Sequence, residues 1–361
     1  MTAMLRSIAA TFVPGLMLLL PPMALGQGSI TPPAGPPAAG MKTLGQLDIA
    51  IDNLSASVTA RGEKRTGLSS ATTIAVSGSY YLSGNITVAS GNGITISASN
   101  VSLDLNGFTI RTSAASSTGT AILLSSSANN VTIRNGQISG LFFYGVHNPS
   151  GSIKNVTVRD LIVQGPTARG IGILGSTRFV ENCTVTDVTD TDLLSAGIIG
   201  DIVKSCVVRN CGSVGIAAKI VTDCFAEVNA SGTSNSMAIQ GETVMNSNAV
   251  NLGSGRAISS AGVVSNSIGQ AVAGEGISAG TAENSKGISS TGYGLQTTGT
   301  ASGCTGQTSD GTVALNAATA NMCRGIRSTG GIAIQAGIAI GCTVSGAGAT
   351  VSSPSKHLGT P

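Results

Sequence analysis

The stretch NCTVTDVTDTDLLSAGIIGDIVKSCVVRNCGSVGIAAKIVTDCFA, residues 182–226, says nearly the same thing three times. NCTV (182–185), SCVV (205–208) and DCFA (223–226) each set a cysteine between a turn-forming polar residue and a small apolar run. Cys183, Cys206 and Cys224 are 23 and 18 residues apart, and Ile198 and Ile216 stand 8 residues ahead of the second and third. Two columns in step over a period near 20 residues are the mark of a coiled chain, one supersecondary unit per turn. The apolar runs are too short for helices and are bounded by Gly, Asn and Ser, so each turn is built from short strands.

The phrase extends both ways. NVSL (100–103), NVTI (130–133) and NVTV (155–158) precede it. NSNA (246–249), NSIG (266–269), NSKG (284–287), GCTG (303–306), MCRG (322–325) and GCTV (341–344) follow. The second column reads Ile94, Ile122, Val146, Ile171, Ile198, Ile216, Ile239, Ile258, Ile277, Leu295, Leu315 and Ile334. A leucine-rich repeat would need Leu-x-x-Leu-x-Leu, which is missing. A left-handed β-helix would need multiples of six, and gaps of 19, 20, 23 and 25 between turns are not. The expectation is an all-β chain: a single right-handed parallel β-helix of about 12 rungs, roughly 55 Å long at 4.7–4.9 Å per rung.

Composition agrees. Charged residues make up 10% and aromatics 3% of the 361 residues, Trp is absent, and Gly reaches 50. A thin core of Val, Ile, Ala and Gly suits a solenoid better than a thick globular core. The net charge is +3 without any basic run, which excludes nucleic acid as the expected partner.

The N-terminus reads as a secretory leader. Arg6 supplies the positive start, an apolar stretch runs from Ile8 to Leu20, and Ala24-Leu25-Gly26 places cleavage before Gln27. Pro14, Pro21 and Pro22 leave that stretch short for a membrane span. The expected organisation is a signal peptide at 1–26, a Pro/Gly linker at 27–40, an N-terminal cap at 41–80, the β-helix at 81–346 and a disordered tail at 347–361. An extracytoplasmic location follows, secreted, periplasmic or at the cell surface, with no transmembrane segment after cleavage. Within the cap, Leu44, Leu47, Ile51 and Leu54 are spaced three, four and three apart, which predicts a short amphipathic helix covering the open end of the stack.

Six of the seven cysteines occupy one column, and Cys211 lies outside it. Three readings stand: small buried side chains interchangeable with Val and Ser, disulfides between neighbouring rungs, or a metal site, against which the absence of any CxxC counts. Asn100, Asn130, Asn155, Asn182, Asn246, Asn266 and Asn284 precede the column residue and predict an Asn ladder at a bend. Two residues beyond the column the inward side chains run from Leu103, Ile133 and Val158 through Val185 and Val208 to Gly287, Gly306 and Gly325, where the wall is expected to bend.

SGSYYLSGNITV (77–88) and NGITISASNVSLDLNGFTI (92–110) resemble the first rungs of secreted bacterial right-handed β-helix repeat proteins of the pectin-lyase-like superfamily. The weaker repeats carry the resemblance to about residue 345. It implies the fold but no one activity, since lyases, hydrolases, epimerases and adhesins share that architecture. The Asn-Thr-Asp, Asp-Asp and Gly-His-Gly patterns of polygalacturonases are absent, as is the Arg-x-Pro-x-x-Arg of pectate lyases. No catalytic residue is carried over.

Outward positions suggest a charged stripe. Asp104, Arg134, Arg159, Arg209 and Glu227 fall three residues past the column, with Asp160 and Asp187 in neighbouring bends and Asp190 and Asp192 in the loop after them. Carboxylates beside arginines suit an acidic sugar chain, with calcium as the one ion they would bridge; no cofactor is otherwise implied. A solvated face of cross-rung ion pairs is the plainer account. His147 sits at a bend, near Phe142, Phe143 and Tyr144, with Tyr293 farther along. The expected function is a non-catalytic solenoid that binds polysaccharide or a cell-surface component. The alternative is a lyase, hydrolase or epimerase acting on acidic glycans.

Overall fold

A strand of three or four residues cannot hold itself together, so strands this short persist only when each is paired to its counterpart one turn away. The computed structural model describes residues 44–61, 64–353 with breaks at 117, 150, 191–194 and 230–234, and 356–358. The expected leader and linker, and Asp192, lie outside the described residues. The chain divides after Glu63 into two units.

The first unit carries helix α1, Leu44–Arg61. It outruns the four-residue apolar face because no Gly or Pro interrupts 46–61, and Gly62 follows at once. The second unit is a right-handed parallel β-solenoid of about 13 turns. Each turn passes through three sheets. Sheet A starts at Thr66–Leu68 and Gly78–Leu82, sheet B at Ile86–Val88, and sheet C at Thr72–Ile74 and Ile94–Ile96. The coil therefore begins ahead of residue 81, with Thr66 opposite Tyr80 and Thr72 opposite Ile94. It also runs on past 346. Ala349–Ser352 and Lys356–Leu358 both pair with Gly331–Ile340, where a structureless tail was expected. Both end segments find a complete strand to dock on.

On sheet C the aliphatic column from Ile94 to Ile334 stands in register as read from the sequence. The other column needs a correction. Val101, Val131 and Val156 lie over one another on sheet A, but the next residue beneath Val156 is Arg178, not Cys183. Thr184 instead pairs with Ile162 on sheet B, so the Cys183 column is a different corner of the coil. The two corners look alike in sequence because each needs a left-handed residue followed by a small inward one. Asn100, Asn130 and Asn155 have φ of 54–57° at the corner entering sheet A. Asn135, Asp160, Asn182, Ser205 and Asp223 have φ of 51–59° at the corner leaving it. The Asn ladder is thus two ladders. Asn130 and Asn155 each donate to the Asn one turn before at 2.8 and 2.9 Å, whereas Asn182 and Asn246 donate to Asp160 and Asp223 at 2.7 and 3.2 Å.

The cysteine corner explains its own composition. The Cys183 N–H donates to Cys206 Sγ at 3.4 Å, and that of Cys206 to Cys224 Sγ at 3.5 Å. The Cys224, Ser247 and Ser267 N–H groups then donate to Ser247, Ser267 and Ser285 Oγ at 3.1–3.2 Å. Each thiol or hydroxyl donates in turn to the carbonyl two residues back in its own rung, as Cys206 does to Lys204 at 3.2 Å and Ser247 to Met245 at 2.7 Å. A buried corner N–H needs an acceptor, and in these turns a small side chain that both donates and accepts supplies it, where Gly136 and Leu161 hold the same position in the two turns before. That is why Cys and Ser share the column, three of each and then three Cys again. All seven cysteines are buried and free.

The core thins along the coil. On sheet A the inward column runs Leu103, Ile133, Val158, Val180, Val203, Val221, Val244 and Val264, then Ala282, Ala301, Ala320 and Ala339. On sheet B it passes from Val185 and Val208 through Ala226 and Ala249 to Gly269, Gly287, Gly306 and Gly325. Those glycines remain in regular strands, so the wall does not bend there. They are required because sheet B lies directly on the backbone of sheet C. A Cβ on Gly287 would fall 1.9 Å from the Gly294 carbonyl oxygen, and one on Gly306 would fall 2.2 Å from that of Ala314.

Gly287→Ala is expected to lose about 3 kcal/mol in chemical denaturation. Gly84→Ala, where nothing stands within 4 Å, should change little. At the corner, Cys206→Ala strands the Cys183 N–H and should cost about 1–3 kcal/mol, whereas Cys206→Ser should cost clearly less. Equal losses for the two would remove the hydrogen-bonding account of the column.

Candidate functional site

The break in register splits the expected charged stripe in two. Asp104, Arg134 and Arg159 stack on sheet A and continue into Glu181 and Lys204. Asp187, Arg209 and Glu227 belong to sheet B. Asp160 occupies the corner between the sheets. No one surface gathers them.

Their carboxylates are also committed. Asp104 is buried and meets Arg65 at 3.2 Å and Arg134 at 3.1 Å, and it accepts from the Asn106 N–H at 2.8 Å and the Asn135 amide at 3.1 Å. Burial would raise its pKa; the two hydrogen bonds and two cations more than reverse that and hold it below the usual carboxylate range. Asp160 accepts from Asn182. Asp187 accepts from Asn210 at 2.8 Å and Thr186 at 2.9 Å, and the Asn210 bond leads in lowering its pKa. Arg209 pairs with Glu227 at 3.5 Å and lies 4.2 Å over the Phe225 ring. Such groups are tuned for cross-rung pairing rather than for proton transfer. Among the described residues no cluster of three or more His, Cys, Asp or Glu could hold a metal ion.

His147 is buried on sheet C, with Nδ1 2.8 Å from the Gly172 carbonyl and its ring stacked on Tyr144 at 3.9 Å. Burial, with Arg169 nearby, lowers its pKa and favours the neutral ring. Donation from Nδ1 to the carbonyl then fixes the tautomer.

Larger concave surfaces lie elsewhere, on the outer side of sheet C and at its edge with sheet A. One cavity of about 520 Å³ is lined by Arg178, Lys219, Gln240, Glu242, Arg256 and Ser259 among others. A second of about 410 Å³ is lined by Asn316, Gln335, Gly337 and Ser352 with their neighbours. Register joins them: Gln240, Ser259, Ser278, Gln296, Asn316, Gln335 and Ser352 form one outward column over successive turns. At 4.7–4.9 Å per rung this column spans roughly 30 Å. Within the described residues no hydrogen bond is made by the side-chain amides of Gln240, Gln296, Asn316 and Gln335. Corner amides behave differently: Asn85, Asn92 and Asn129 each accept a backbone N–H at 2.7–2.9 Å.

Charge in the larger cavity is compensated. Asp201 takes Arg178 at 2.6 and 2.9 Å and the Arg178 N–H at 3.0 Å, with Lys219 at 3.5 Å. The Arg178 hydrogen bonds dominate and hold the Asp201 carboxyl far below the usual carboxylate range. Arg256 pairs with Glu275 at 2.8 Å. Sequence reasoning missed this face, although the signal was present. Each member of the polar column directly follows a member of the aliphatic one, as in Ile239-Gln240, Leu295-Gln296 and Ile334-Gln335.

No family model matches the chain. No curated protein matches it either. Among solved structures, the chain is similar to the catalytic domain of a GH87 alpha-1,3-glucanase in complex with nigerose. The identity is 12%, the match covers 92% of this chain and 70% of that one, and the TM-score is 0.31.

Because Asp201 is held ionised in the folded state, its stabilisation is present above about pH 4 and is lost as pH falls below the ordinary carboxylate range. Asp201→Asn should therefore be clearly less stable than the parent at pH 7 in chemical denaturation. The gap should narrow in acid; a gap independent of pH would contradict the assignment.

Proposed function

We propose that the protein is an exported, non-catalytic solenoid that binds a polysaccharide along the outer face of sheet C. The observation that carries the reading is the column from Gln240 to Ser352, whose amides make no hydrogen bond within the described residues. Amides and hydroxyls both donate and accept, which is what a hydroxyl-bearing polymer requires. The carboxylates of Asp201, Glu242 and Glu275 together balance Arg178, Lys219 and Arg256, so the cavity carries no net positive charge to recruit a uronate chain. A neutral, extended glycan lying along the coil fits this surface better than an acidic one.

Two further parts of the reading come from the sequence. The leader-like first 26 residues support export, and the phrases within 77–110 support kinship with the pectin-lyase-like proteins. The competing reading, an enzyme for acidic glycans, relied on the charged stripe. Its carboxylates are bound to arginines and asparagines on two different sheets.

Binding of purified protein to immobilised neutral and uronate polysaccharides, with and without calcium, tests the proposal. Binding should favour a neutral polymer and ignore calcium. Gln296→Ala together with Gln335→Ala should weaken it about tenfold, at about 0.7 kcal/mol per lost hydrogen bond. New reducing ends or unsaturated products would overturn the non-catalytic reading. Retention unaffected by the double substitution would overturn the site.

A further inference from the structure

The outer face of sheet A carries a charge pattern that cross-rung pairing does not account for. Its ladder runs Tyr81, Asp104, Arg134, Arg159, Glu181 and Lys204 over successive turns. Opposite charges meet at both ends. Asp104 takes Arg65 and Arg134, and Glu181 turns to Lys204 at 3.9 Å. Between these pairs Arg134 and Arg159 stand on adjacent turns, and like charges placed opposite one another destabilise a sheet. The Arg159 side chain makes no ion pair or hydrogen bond within the described residues. Asp160, at the next corner, is engaged by the Asn182 amide instead.

The surroundings specify what such a pair would hold. Thr132 and Thr157 lie two residues before the two arginines, opposite each other and on the same outward face. Their hydroxyls also make no hydrogen bond within the described residues. The Nε–H groups of Arg134 and Arg159 are covered and meet no acceptor, so neither guanidinium is fully satisfied by the fold. Four half-buried donors thus share one patch, on turns about 4.8 Å apart. A phosphate group matches it. It sets nearly two negative charges against two guanidinium groups, and three oxygens against their forked N–H donors and the hydroxyls. A carboxylate brings one charge and two oxygens.

We infer that Thr132, Arg134, Thr157 and Arg159 form a phosphate-binding site on the outer face of sheet A, for a phosphate ester or for phosphate itself. The site shares no residue with the polar column of sheet C and does not depend on the glycan reading.

Calorimetric titration of the purified full chain with inorganic phosphate, a hexose phosphate and galacturonate tests this. At least one of the two phosphates should bind at a single site per chain, and galacturonate about tenfold more weakly or worse. Tighter binding of the hexose phosphate assigns the site to an ester, and the reverse assigns it to free phosphate. Added salt should weaken the binding. Arg159→Gln should lower the affinity about tenfold or more. Because that side chain holds nothing else in the fold, the melting temperature without ligand should not fall. Arg209→Gln is the control: Arg209 belongs to sheet B, where it pairs with Glu227, and its loss should leave phosphate binding unchanged. A chain that binds neither phosphate saturably would overturn the inference. So would binding that survives Arg159→Gln, binding lost equally to Arg209→Gln, or galacturonate bound as tightly as phosphate.

Discussion

Everything in the coil depends on one constraint: a residue must suit the equivalent residue one turn above and one turn below. Backbone pairing between turns enforces it, because a strand slipped by one place would turn its inward side chains to water. The constraint acts differently at different places on the rung. Along the flats it selects size, giving columns of Ile, Val, Ala or Gly. At the corners it selects hydrogen-bonding capacity. A corner N–H points at the neighbouring turn and must find an acceptor there, which Cys206, Cys224 and Ser247 provide.

The cysteines illustrate why composition alone misleads. A stack of thiols in a chain with a leader-like N-terminus invites disulfides, yet their role here is that of slightly larger serines. Hydrogen bonding with Cys183, together with burial, pushes the Cys206 thiol up to about 12, and burial does the same for Cys211. Thiols kept protonated in this way are poor nucleophiles and poor metal ligands.

How much of this was legible in the sequence follows from the same constraint. The sheet C column could be read outright, because Ile94 to Ile334 repeat a large aliphatic residue at one place. The corner columns could not be separated. NVTV at 155–158 and NCTV at 182–185 obey the same local rule, a left-handed Asn then a small inward residue, while standing at different corners. One misjoined turn was enough to merge two charged rows into one apparent stripe. The polar column on sheet C was overlooked for a different reason. Gln, Ser and Asn are ordinary surface residues, and what sets these apart is that they stack in one outward column beside concave surface, which only the register between turns reveals.

The tapering interior has a mechanical consequence. Early turns are filled by Leu, Ile and Val, whereas late turns close over Ala and Gly with the walls nearly touching. Less apolar surface is removed from water per late turn, and coupling in such a stack reaches only to the next turn. The stack is therefore graded rather than uniform: its late turns hold less of the apolar surface that resists unwinding than its early ones.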